Sequence, residues 1–412
     1  MHPSATDSVD AMVLDADLRQ ALVAIRSLGR HGLRVAAFGQ RRSAPALASR
    51  WCREGLVSPA PPTSRRSLEA LELALRHIRP HVLIPSADGT VELLRRHRVL
   101  LGQKARIALA QDDALEIAID KERSLSLAQE LGIGVPRGVI VRAPDEVRAA
   151  IREVRLPAVV KPTQSWQEDE HGGARLDARL VIDEAEARCA VAELTRFGGR
   201  ALFQEYLPGR REAVSLFCTD GVVRARFAQW AERTSPPIGG ESVLRQSIAV
   251  PQDLGGSAER LVSEIGLDGY AEVEFRRDGD GAPRLMEINP RLSASVELAV
   301  RSGIDFPALL YRWAAGEPVA AVRGYKVGTW MRYLRGDLMS TVAALRQRGR
   351  PGVAPPCQAL MGFAASFLRP MRYDYLDWRD PSPALRAAAN FWQEMLHATT
   401  RARSRLAQRW SG

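Results

Sequence analysis

Lysine is nearly absent from this 412-residue chain. Of 58 basic residues only Lys104, Lys121, Lys161 and Lys326 are lysine, which leaves 54 arginines. A planar guanidinium cannot reproduce a compact, rotatable ammonium. Positions that keep lysine here are therefore candidates for a point-charge role, Lys121 and Lys161 first. Cysteine is scarce too. Cys52, Cys189, Cys218 and Cys357 stand far apart, form no CxxC pair and have no histidines near them in sequence, which excludes a disulfide framework and a zinc site. The seven histidines show no ligand spacing and are given no role. No apolar run reaches the roughly 18 residues of a spanning helix, and residues 1–10 lack the basic start and apolar segment of a signal peptide. A cytoplasmic location is the expectation.

What remains is an ordinary globular composition, 46% hydrophobic and 26% charged, able to bury a sizeable core. The length suggests two or three domains. The net charge of +10 reads as spread along the chain, a generic arginine-rich surface. Residues 11–39 read as strand, helix, strand, a βαβ opening. A third apolar strand, HVLIPS, ends near Ser86, Asp88 and Gly89, so a parallel sheet with a crevice there is expected. From Asp120 a helix begins a new unit, and LPAVVKP is a strand ending in Lys161-Pro162. Residues 201–209, 212–220 and 222–230 read as three strands of one antiparallel sheet, with Asp220-Gly221 as a two-residue hairpin turn. Beyond Gly324 the pattern is mainly helical.

The strongest chemical signal is GYAEVEF (269–275) followed, across a turn, by RLMEINPR (284–291), which together read as a hairpin. A period of two puts Leu285, Glu287 and Asn289 on one face of the second strand, and Glu272 and Glu274 on one face of the first. Hard Mg²⁺ favours oxygen ligands and bridges carboxylates to phosphates, which suits Glu274, Glu287 and Asn289. Arg291 lies just beyond, suited to a phosphoryl group.

At these residues the chain resembles the ATP-grasp superfamily, carbamoyl-phosphate-synthase-like and biotin-carboxylase-like. In that superfamily an xEF strand and an E-x-N-x-R strand supply metal-binding carboxylates, an asparagine and a catalytic arginine. The resemblance implies metal ligation by Glu274, Glu287 and Asn289, a catalytic Arg291, and phosphate binding by Lys121 and Lys161. It also implies adenine contacts from the backbone around Gln204, Glu205 and Leu207 in FQEYLPG, and a ribose contact from Glu212. The loop ERTSPPIGGESVLRQS (232–247) resembles a substrate-side loop, offering Arg233, Gly239, Gly240, Ser242 and Arg245, with Asp88 as a further substrate candidate. One departure stands out: Thr163-Gln164-Ser165-Trp166, with only Gly172-Gly173 later, replaces the family's glycine-rich phosphate-covering loop.

The implied fold class is α/β and α+β: an ATP-grasp fold with an N-terminal Rossmann-like domain (1–114), a small lobe or lid (115–200), a large catalytic lobe (201–325) and a mainly helical C-terminal extension (326–412). The implied function is an ATP-dependent carboxylate–amine or carboxylate–thiol ligase, ADP-forming and working through an acyl phosphate. The expected cofactors are ATP and Mg²⁺ (or Mn²⁺), and the expected partners a small-molecule carboxylate and an amine or thiol acceptor, with a homodimer left open and no specific nucleic acid. WRDPSP (378–383) resembles ATP-grasp proteins of polysaccharide gene clusters, which points to polysaccharide or small-molecule biosynthesis. Two alternatives stand beside this reading: a carboxylase or carbamoyl-phosphate-forming enzyme using bicarbonate, and a basic nucleic-acid or membrane-binding protein with a vestigial ATP site.

Overall fold

The structure is a computed structural model that describes residues 9–167 and 173–410, with side chains described through His397. Three larger sheets organise it. The first is parallel, with strands in the order Cys52–Val57, Val35–Gly39, Ala11–Val13, Val82–Ile84, Arg106–Ile107. Its central strands AMV and VLI are apolar throughout and buried, as a sheet covered on both faces requires. Strand order reverses between Ala11–Val13 and Val82–Ile84, so a crevice opens where their carboxyl ends part. Asp15 stands on one side of it in the left-handed region (φ 62°), accepting hydrogen bonds from the Ser86 amide and the Thr90 hydroxyl.

The second sheet is antiparallel, in the order Arg179–Val181, Ala158–Pro162, Ala201–Glu205, Gly138–Val141. Helices Val147–Val154 and Glu184–Thr195 cover one face around Val160, Val191 and Phe203. Strand Ala201–Glu205 therefore departs from expectation: it belongs here and not with residues 212–230. Its alternation buries Phe203 in this small core, and Pro208-Gly209 then carries the chain across to the next sheet. A Cβ on Gly209 would sit 2.0 Å from the Arg277 carbonyl oxygen, so only glycine passes.

The third sheet has seven strands: Pro283–Asn289, Gly269–Arg277, Arg211–Thr219, Val222–Ser235, Glu241–Ile248, Trp330–Arg332, Arg372–Tyr373. Asp220 and Gly221 both take positive φ in its Arg211–Thr219/Val222–Ser235 hairpin, as a two-residue turn of this twist demands. The last two strands come from the C-terminal extension, which is not helical alone. They are three and two residues long, too short to leave a periodic signature.

Four buried aspartates fasten the extension. Asp337 pairs with Arg233 and Arg332 at 2.6 Å each, Asp374 with Arg245 and with Arg19 at 3.2 Å, Asp377 with Arg30 and with Arg301 at 2.9 Å, and Asp380 with Arg26 at 3.0 Å. The charge is also less evenly spread than expected. Residues 326–412 hold 14 basic and 5 acidic residues, a net of +9 out of the chain's +10. Window-by-window reading hides this because arginine is common everywhere, and it is acids that thin out toward the C-terminus.

Candidate active site

The carboxylate hairpin sets the site. Glu272 stands opposite Asn289 and Glu274 opposite Glu287, so these side chains share a face. The register then slips, leaving Met286 unopposed and Leu285 opposite Phe275. One extra residue flips the alternation. Leu285 accordingly lies in the apolar core with Phe275 and Ile288, and not beside Glu287 and Asn289 as a strict period of two predicts.

The Asn289 amide nitrogen lies 3.3 Å from Glu274 Oε1 and 3.4 Å from Glu287 Oε1, drawing the two carboxylates together. Glu272 takes no part: Ser215, Gln229 and Ser295 hydrogen-bond to it. Among the described residues no three acidic, histidine or cysteine side chains form a ready metal cluster. Two carboxylates plus a carboxamide are nonetheless an all-oxygen donor set of the kind Mg²⁺ takes when phosphates and waters complete its shell.

Two ammonium groups approach the same carboxylates. Lys121 opens helix Lys121–Glu130, whose N-cap Asp120 accepts from the Glu122 and Arg123 amides. Its Nζ is 3.4 Å from Glu287 Oε2 and donates to Ser165 Oγ at 3.0 Å. Lys161 sits opposite Leu202 in register, on the sheet face it shares with Gln204. Burial pushes its ammonium down to about 8, against the attraction of Glu287. Burial likewise opposes charge on Glu287, but Lys121 and Lys161 override it and hold that carboxyl low. Glu274 moves the other way, raised by burial and by the like charges of Glu287 and Glu272 despite Arg211.

Arg291 follows the second strand and pairs with Asp88, at the start of helix Asp88–Arg96 in the parallel-sheet unit. Burial alone would raise Asp88, yet Arg291 holds it at about 2, with Arg175 adding a contact at 2.8 Å. A cleft results, lined by Asp88, Lys121, Ser165, Trp166, Glu287 and Arg291. The segment in place of a glycine-rich lid lies over it. Gln164 donates to Asp120 at 3.2 Å, Ser165 receives Lys121, and the Trp166 ring covers Gly89, where a Cβ would stand 2.9 Å from the indole.

The remaining predicted residues divide. Gln204 is fully buried, with neither end of its carboxamide partnered. The Leu207 carbonyl accepts from Arg276 at 2.8 Å, and the Gly240 carbonyl accepts from Arg211, which ties that loop to Glu274. Gly239 and Gly240 both hold positive φ. Other side chains are not brought into the cluster. Glu205 stands on the reverse face of its sheet, held by Arg137 at 2.9 Å. Glu212, opposite Phe275, lies on the sheet face away from Glu274 with Arg277 at 2.6 Å and Arg210 at 3.2 Å. Arg233 and Arg245 are committed to Asp337 and Asp374, and Ser242 offers its carbonyl to Arg245 at 3.4 Å.

Sequence reading missed Arg211, Arg276, Arg175, Ser165 and Asp15. Arg211 bonds Glu274 Oε2 at 2.6 Å and lies opposite Arg276 on the same face. The alternation of residues 211–219 contains that placement, but only the cross-strand register reveals it. Asp15, pushed up to about 6 by burial against its hydrogen bonds from Thr90 and Ser86 and the Arg291 charge, has no motif to mark it.

A family model described as ATP-grasp in the biosynthetic pathway with Ter operon matches residues 200–336. A D-alanine--D-alanine ligase of Xanthomonas axonopodis pv. citri is 26% identical over 216 residues, 48% of this chain and 64% of that one, so the chain spans just under two thirds of it. A second D-alanine--D-alanine ligase, from Chromohalobacter salexigens, is 25% identical over 311 residues, 69% of this chain and 93% of the relative. In three dimensions, a biotin carboxylase from Campylobacter jejuni in complex with β,γ-ATP superposes with a TM-score of 0.62 at 17% identity, covering 79% of this chain and 75% of that one.

Proposed function

The chain belongs to the ATP-grasp superfamily, and from that premise we propose that it is an ATP-dependent carboxylate ligase releasing ADP and phosphate. The observation that supports this reading is the meeting of Glu274, Glu287 and Asn289 with Lys121 and Lys161 in the neighbourhood of Arg291. Phosphoryl transfer asks mainly for positioning and charge neutralisation, and needs no side-chain nucleophile.

In this reading a substrate carboxylate oxygen attacks the γ-phosphorus of ATP, the bond to ADP breaks, and an acyl phosphate forms. An amine or thiol then adds to the acyl carbon, gives up its proton, and phosphate leaves. Lys121 and Lys161 neutralise phosphate oxygens, and Ser165 orients Lys121. Arg291 exchanges its contact with Asp88 for the transferring group, in a largely enclosed site where a guanidinium fork acts strongly. The unpartnered carboxamide of Gln204 offers one donor side and one acceptor, the complement of an adenine edge. Glu274, Glu287 and Asn289 would hold Mg²⁺ or Mn²⁺, whose chemistry there is charge neutralisation on phosphate oxygens. The crevice at Asp15 and Asp88, beside Arg291, is the place for the acceptor. A setting in polysaccharide or small-molecule biosynthesis rests on WRDPSP and on the description of the matched family.

The test is a screen of carboxylate and amine or thiol pairs for acceptor-dependent release of ADP and phosphate by the full chain. Glu287→Gln removes one negative charge at constant size and should abolish that release while the circular dichroism spectrum stays unchanged. A Glu287→Gln variant with full turnover overturns the assignment.

A further inference from the structure

The C-terminal extension carries an apolar stripe that the proposed chemistry does not use. Helix Ser382–Trp410 packs on the parallel-sheet unit through Pro383, Ala387, Asn390 and Phe391, and Asn390 and Arg386 donate to the carbonyls of Ser43 and Arg42. At 100° per residue these positions define one side of the helix. Leu385, Ala389, Trp392 and Leu396 follow at steps of four, three and four residues on the opposite side, where Leu385 is 70%, Trp392 66% and Leu396 64% exposed. Trp378, just before the helix, is 86% exposed. Of the 20 exposed large apolar side chains among the described residues, 10 fall between Leu360 and Leu396. A concentration of that kind marks an interaction surface, whereas scattered single exposures do not.

Charge selects the occupant. The extension holds nearly all of the net positive charge, +9 of +10. Its four aspartates all point inward into ion pairs, and its one glutamate, Glu394, is taken by Arg335. Arg350 and Arg369 are paired with Glu186 and Glu232, but among the described residues Lys326, Arg346, Arg348, Arg372, Arg379 and Arg386 are exposed and outside any ion pair, so what faces outward is basic and apolar at once. We propose that this extension docks the protein on an anionic membrane surface, with the Leu385–Trp392–Leu396 stripe lying in the headgroup boundary and the surrounding arginines meeting acidic headgroups. A helix of 29 residues with arginine on it and Trp and Leu along one side has the composition of an interfacial helix. No helix among the described residues is long and apolar enough to cross a membrane, so docking is in the plane. Nucleic acid would use the arginines but leave the apolar stripe exposed. A second copy of this chain would set two strongly positive extensions against each other.

Sedimentation of the full chain with vesicles tests this without any need for turnover, so its result is independent of the ligase reading. Binding is expected to vesicles of phosphatidylcholine with phosphatidylglycerol, to fall at least tenfold on phosphatidylcholine alone, and to weaken at 0.5 M salt. Trp392→Glu with Leu396→Glu should cut vesicle binding at least tenfold while leaving the thermal transition in place. Absence of binding to the anionic vesicles, or binding indifferent to the double substitution, overturns the proposal. Two other results also overturn it: a dimer in analytical ultracentrifugation that the substitution dissolves in the absence of vesicles, and duplex DNA that competes fully with the vesicles.

Discussion

Two groups of buried charges in this molecule look alike in composition and differ in how they are satisfied. Around the extension, carboxylates and guanidinium groups pair off closely: Arg332 with Asp337 at 2.6 Å, both fully buried, and Arg26 with Asp380 at 3.0 Å. In the cleft the pairing is mixed: Arg211 holds Glu274 at 2.6 Å and Arg291 holds Asp88, while Lys121 stands 3.4 Å from Glu287 and Asn289 reaches two carboxylates at 3.3 and 3.4 Å. Lys161 is desolvated enough to fall to about 8. A closed ion pair must first be broken to serve a ligand, as that of Arg291 with Asp88 is in the proposed reaction. A loose set of mixed charges exchanges its internal contacts for phosphate and metal at small cost. Burial of charge is thus not what distinguishes a site here. The looser lysine and asparagine contacts around Glu287 do.

The sharpest way to separate the two groups is Glu287→Gln beside Asp337→Ala. The first should lower acceptor-dependent turnover by more than about a thousandfold with a smaller loss of denaturant midpoint than the second, the loss reflecting the attraction of Lys121 and Lys161 for that charge. The second should leave buried Arg332 without a counter-charge and Arg233 with only Glu232 at 3.4 Å, and cost about 3 to 5 kcal/mol in urea unfolding. If Asp337→Ala were neutral in stability, the contrast would fail.

Asp15 offers a smaller effect with a definite sign. Its carboxyl is raised to about 6 when folded, against an ordinary carboxylate near 4 in the unfolded chain. Between those values the native state keeps a proton that the unfolded state has lost, so stability falls as pH rises through the window. The two-unit difference corresponds to about 3 kcal/mol at most. Asp15→Asn should therefore gain stability over the unmodified chain above pH 6 and show no advantage below pH 4. Unfolding curves at pH 4 and pH 7 check it.

Lys161 gives the smallest expected change. As pH passes about 8 its ammonium loses its proton, so phosphate attraction weakens. KM for ATP should rise up to roughly tenfold by pH 9 while kcat changes less, and Lys161→Arg should flatten that rise because a guanidinium stays charged. A KM indifferent to pH between 7 and 9 would remove Lys161 from the nucleotide's phosphates.

Legibility followed the same division. Lys121 and Lys161 stood out because an arginine-rich chain had kept lysine there, and MEINPR because its residue types are improbable as a solvated strand. Both signals are local. Arg233 and Arg245 were singled out by their loop, yet their partners Asp337 and Asp374 lie 104 and 129 residues away, beyond any window. The slip at Met286 was equally invisible, because alternation shows no bulge until the opposite strand is in place.

By itself the sequence determined what rests on residue type and short spacing: the βαβ opening, the Asp220-Gly221 turn, the acid-bearing hairpin, and the lysines at a helix start and a strand end. Only the tertiary structure decided which strand joined which sheet, which face Leu285 and Arg211 took, which arginines were spent on inward aspartates, and that the extension's outer side was left basic and apolar. The physical reason is range. Backbone preference and alternation act over a few residues, whereas register and charge pairing are settled between separate segments, from Phe275 and Leu285 across one hairpin to Arg245 and Asp374, 129 residues apart.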